Sequence, residues 1–113
     1  MTEETKNIAH PSRDLVAETA YELTAMLLEK SGQKRFRTHR LPLMASFYVY
    51  LRRAETERDL DALSAKSKLC IQDFEPQGTE NLTAPQIVAK CLSVDQEMTT
   101  PKDPPLSLKQ KTP

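Results

Sequence analysis

The run Leu41-Pro-Leu-Met-Ala-Ser-Phe-Tyr-Val-Tyr-Leu51 constrains this chain more than any other feature. A helix that meets a core on one side shows an apolar stripe and a charged opposite face. This run carries no charged residue until Arg52-Arg53. It is too short to cross a bilayer, which takes roughly 20 apolar residues. The elements before and after it are therefore expected to wrap it on all sides.

A chain of 113 residues has room for one domain. With 2 glycines, no tryptophan and 5% aromatics, a turn-rich β-sandwich is disfavoured. The expected fold class is all-α, a small single-domain helical bundle. Ser12 or Asp14 can cap a first helix, with apolar positions at Leu15, Val16, Thr19, Ala20, Leu23, Met26 and Leu27. That spacing of three and four defines one buried stripe, and Gly32 provides a stop. Thr38 is a candidate cap for the apolar helix, which is expected to run to about Ala54. Pro42 is tolerated because the first helical amides lack internal partners.

Thr56 with Asp59 three residues on opens a short helix carrying Leu60 and Leu63. Ser67 is a candidate cap for a further short turn with Leu69, Ile71 and Phe74. Residues 75–81 read as a loop. Thr83-Ala-Pro-Gln86 is a capping box with proline in its first turn, leading into a last helix that buries Ile87, Val88, Cys91 and Leu92. The domain so drawn covers 12–94. It lies between a flexible arm at 1–11 and a tail at 95–113, expected to be disordered because it has little apolar surface to bury.

Sixteen basic and 16 acidic residues balance, so net charge selects no partner. Their distribution is uneven. Between Lys34 and Arg58 stand Lys34, Arg35, Arg37, Arg40, Arg52, Arg53 and Arg58, against Glu55 and Glu57. Clustered basic side chains bind phosphate by releasing condensed counterions, so these seven are candidate nucleic-acid-binding residues. Arg52 and Arg53 would equally complement the dipole of a helix C-terminus.

Chemistry finds little footing. Neither His10 nor His39 has a carboxylate or cysteine at a spacing that implies a dyad. Cys70 and Cys91 each lack a second cysteine two to four residues away, the spacing of zinc ligands. No glycine-rich phosphate loop is present. An enzyme, a cofactor, a metal and a small-molecule substrate are not expected. The first residues lack the basic and apolar regions of a signal peptide. The two cysteines then read as reduced thiols of an intracellular protein.

The order Ala20-Tyr21, Arg37-Thr38, Ala45-Ser-Phe-Tyr-Val-Tyr-Leu-Arg-Arg53, Glu57-Arg58-Asp59-Leu60-Asp-Ala-Leu63 and Ser67-Lys68 resembles one cyclin-like repeat of transcription factor IIB. The resemblance covers about residues 13–74. Phe36 stands where the repeat has glycine, Glu57 and Asp59 where it has proline and threonine, and Ala62 where it has glutamate. It implies a cyclin-like core with a surrounded central helix, acting in the nucleus.

Two functions are open at this point. One is a non-enzymatic nuclear module that binds DNA or a transcription or replication assembly through the basic loop. The other is a protein-interaction subunit or adaptor, histone-fold-like or otherwise helical, with no nucleic-acid contact. A protein partner is expected in both, and a membrane in neither. The proline-bearing stretch Pro101 to Pro113 adds a third option, an extended ligand for a groove.

Overall fold

The computed structural model describes residues 10–31, 40–75, 77–79 and 81–101. Among these the regular elements are four α-helices and one 3-10 turn: α1 (Arg13–Ser31), α2 (Arg40–Leu51), α3 (Glu57–Asp73), α4 (Ala84–Leu92) and the turn Gln96–Met98. The expected all-α class is what the chain adopts. No described helix is long and apolar enough to cross a membrane.

Ser12 is the cap that α1 uses, its hydroxyl accepting from the Leu15 amide at 3.1 Å. Val16, Ala20, Leu23, Thr24 and Leu27 are buried along one stripe. The Thr24 hydroxyl is satisfied inside the core by donating to the Ala20 carbonyl at 2.7 Å. Gly32 and Thr38, the expected stop and start, lie outside the described residues.

α2 packs most extensively on α1, and α4 covers its other inner flank. Leu43, Ser46, Phe47, Tyr50 and Leu51 are buried, which is again a spacing of three and four. No other described helix wraps its opposite side. Leu41 is 73% exposed, Ala45 is exposed, and Met44, Tyr48 and Val49 are half-buried. The expectation of a helix enclosed on every side is therefore corrected: among the described elements α1 and α4 cover it, and α3 barely reaches it.

Thr56 begins α3, its hydroxyl accepting from the Asp59 amide at 3.0 Å, while the Asp59 carboxylate accepts from the Glu55 amide at 3.3 Å. The expected break at Ser67 is absent. α3 is one continuous helix of 17 residues, and Ser67 lies buried in its interior. Leu60, Leu63, Ser67, Ile71 and Phe74 form a single stripe at helical spacing, so the packing favours continuation over a second cap. Lys30 of α1 donates to the Gln72 carbonyl of α3, and Lys68 of α3 lies 3.7 Å from Glu22 of α1. These pairs fall in the same order along both helices, so α1 and α3 run in the same sense.

The capping box of α4 is complete. The Thr83 amide donates to Gln86 Oε1 at 2.9 Å, and the Gln86 amide donates to Thr83 Oγ1 at 3.4 Å. At the other end Ser93 is left-handed (φ 59°, ψ 46°), with Ser93 N donating to Lys90 O and Val94 N to Ala89 O. That is a Schellman closure with serine where glycine is usual.

Order also continues past the boundary expected at residue 95. Gln96–Met98 turns back onto α4, and Thr99 is fully buried. Residues 1–9 and 102–113, most of the expected arm and tail, lie outside the described residues.

Candidate docking site

Because α2 is apolar nearly all round but covered on only part of its circumference, its outer face is a second apolar stripe. Leu41, the pair Met44 and Ala45, and the pair Tyr48 and Val49 fall one helical turn apart and line an open groove of about 720 Å³. Arg52, Arg53 and Pro101 complete its lining. No acidic side chain is among these lining residues. The Arg52 guanidinium lies 5.8 Å from the centroid of the Tyr48 ring, which holds a positive charge over the apolar wall.

The basic residues singled out in the sequence divide. Lys34, Arg35 and Arg37 lie outside the described residues. Arg40 is exposed and engaged by α1: its guanidinium donates to the Tyr21 hydroxyl at 3.0 Å and stands 5.3 Å from that ring's centroid. Arg52, Arg53 and Arg58 are all exposed, and α2 ends and α3 begins between them. A helical rise of about 1.5 Å per residue puts Arg40 roughly 18 Å along the axis from Arg52. The fold thus joins Arg52 and Arg53 to the groove and leaves Arg40 at the far end of the helix. Leu41, Met44, Ala45 and Val49 were not among the residues the sequence marked for function. Their signal was present, as a second apolar stripe opposite the first, but wrapping was expected to hide it.

A second depression, of about 460 Å³, is lined by Cys70, Asp73, Phe74, Glu75, Lys90, Cys91 and Ser93. Both cysteines are free thiols. Burial, and secondarily Cys70, pushes the Cys91 thiol up to about 12. A thiol so raised stays protonated and is a poor nucleophile or ligand near neutral pH. Among the described residues no group of three or more His, Cys, Asp or Glu side chains is placed to hold a metal ion. His10 is exposed, and His39 lies outside the described residues.

Comparison with protein-family models, curated proteins and solved structures gives no match to this chain.

Proposed function

We propose that this chain is a protein-interaction module that receives an apolar segment of a partner on the outer face of α2. The observation that carries this reading is the apolar groove, with 73%-exposed Leu41 at one end and Arg52 and Arg53 at the other. Apolar grooves rimmed by charge are the usual seat of amphipathic segments. Both charged residues of the lining, Arg52 and Arg53, are basic, so the fitting partner pairs apolar anchors with Asp or Glu at one end. A second copy of the chain fits less well. An antiparallel pairing of two α2 faces would set Arg52 and Arg53 of each copy beside Arg40 of the other.

Selection of displayed helical peptides, with apolar anchors and acidic flanks, tests this on the full chain. Ala45 sits exposed in the middle of the face, so Ala45→Glu blocks the groove without touching the core. Selected peptides should bind the parent and lose affinity on Ala45→Glu by about tenfold or more, which is 1.4 kcal/mol. Equal binding to the two proteins, or no selectable peptide, overturns the reading.

A second reading is contact with DNA in a nuclear assembly, through a cyclin-like core as the resemblance implies. It is favoured by the exposure of Arg52, Arg53 and Arg58 around one helix junction. Such residues would position phosphate and carry no base specificity. Duplex affinity that falls steeply with salt, and weakens on charge reversal of these three arginines, is its signature.

A further inference from the structure

We propose that residues 102–113 of the chain dock intramolecularly on the open face of α2, as an occupant that an external partner has to displace. This rests on the docking reading above and adds its regulation.

The chain is delivered to the groove. Pro101 is itself part of the lining, with Met44, Tyr48 and Arg52. The delivery point is also pinned. Thr99 is fully buried, its hydroxyl 2.7 Å from the Pro85 carbonyl and 3.0 Å from that of Gln96, and the Thr100 hydroxyl donates to Gln96 O at 2.8 Å.

The residues after Pro101 carry one acid followed by an apolar run, with Lys102 before them and Lys109 and Lys111 after. Asp103 comes two residues after Pro101, and Pro104-Pro105-Leu106-Ser107-Leu108 comes next. In an extended chain alternate residues share a face, so Leu106 and Leu108 lie together on one face, opposite Ser107 and Lys109. At about 3.3 Å per extended residue, Leu108 can lie roughly 23 Å from Pro101. The face from Leu41 to Arg53 is only about 18 Å long. Leu108 can therefore reach any part of it, and Leu106, five residues from Pro101 and at most roughly 16 Å away, can reach most of it. Tethering supplies an effective concentration on the order of millimolar, so weak apolar contacts are enough.

The test uses the full chain and its four methionines. Methyl resonances are compared between the parent and the double variant Leu106→Ser, Leu108→Ser. The Met44 methyl should shift between the two proteins, independently of protein concentration, while Met26 stays in place as an internal control for folding. Identical Met44 signals overturn the proposal. So does a Met44 signal that moves with concentration, which marks a second copy, or one that moves with Phe36→Ser and not with the tail substitutions. A peptide selected on the groove provides the second readout. If the tail covers the face three-quarters of the time, the double variant binds that peptide about fourfold tighter than the parent. Equal affinity, with binding still lost on Ala45→Glu, would remove the tail's role and leave the docking site standing.

Discussion

The Thr99 hydroxyl donates to the Pro85 carbonyl across 2.7 Å, joining the segment after α4 to the first turn of α4 itself. Thr99→Val keeps the shape and removes the donor. A buried hydrogen bond lost in this way costs about 1–2 kcal/mol. The melting temperature should fall by roughly 4–8 °C for each kcal/mol in a domain of this size. Thermal unfolding within a degree of the parent would show that the hydroxyl does not hold this turn.

Among the described residues Phe47 is the largest fully buried side chain, in one cluster with Leu23 and Leu27 of α1. Phe47→Ala leaves a cavity costing roughly 3–5 kcal/mol, against a usual stability of roughly 5–15 kcal/mol. Calorimetry should show a far lower melting temperature or no cooperative transition.

The hydroxyls of Ser46 on α2 and Ser67 on α3 are buried without a hydrogen-bond partner. Removing an unsatisfied buried group is neutral or stabilising, and alanine is the better helix former. Ser46→Ala and Ser67→Ala should each raise the urea midpoint, by up to about 1 kcal/mol in stability. A lowered midpoint would mean that each hydroxyl has found a partner in solution.

Alkali should weaken the fold through Cys91. Its thiol rises from 9.0 to about 12, chiefly by burial and then by Cys70, so the native state keeps a proton that the unfolded chain gives up. Stability from this group is full below the lower value and falls as pH climbs toward the upper one, with a slope of at most about 1.4 kcal/mol per pH unit. Tyr50 is also raised, by burial and then Cys70, with Arg53 opposing, and adds in the same direction. Urea titrations should show a steady decline above about pH 9, made shallower by Cys91→Ala. A flat profile would contradict the buried thiol.

Ser93 adopts a left-handed backbone at φ 59° to close α4. A non-glycine residue loses roughly 1–2 kcal/mol there, so Ser93→Gly should stabilise the domain by up to about 1 kcal/mol. Chemical denaturation measures it directly, and a loss of stability would show that the serine side chain matters more than its backbone.

Much of this architecture was legible because local chemistry decides it. Ser12, Thr56 and Thr83 start helices through hydrogen bonds that span three residues, and a short sequence window contains both partners. Ser67 misled for the same reason: serine has the chemistry of a cap, but the stripe from Leu60 to Phe74 makes continuing α3 more favourable. The groove was hidden at a different level. An apolar stripe at Leu41, Met44, Ala45, Tyr48 and Val49 is visible in the sequence, but whether a neighbour covers it depends on where α3 and α4 settle. Order at Thr99 was missed because its acceptor, Pro85, lies 14 residues away.

The two faces of α2 set opposite rules for substitution. Toward α1 and α4, Leu43, Phe47 and Leu51 have no exposed surface, so nearly any replacement there is felt as instability. Toward solvent, Leu41 and Ala45 can change without disturbing the interior. A saturation scan of this one helix would therefore separate into two patterns every three to four residues, one read out by abundance and the other by association alone.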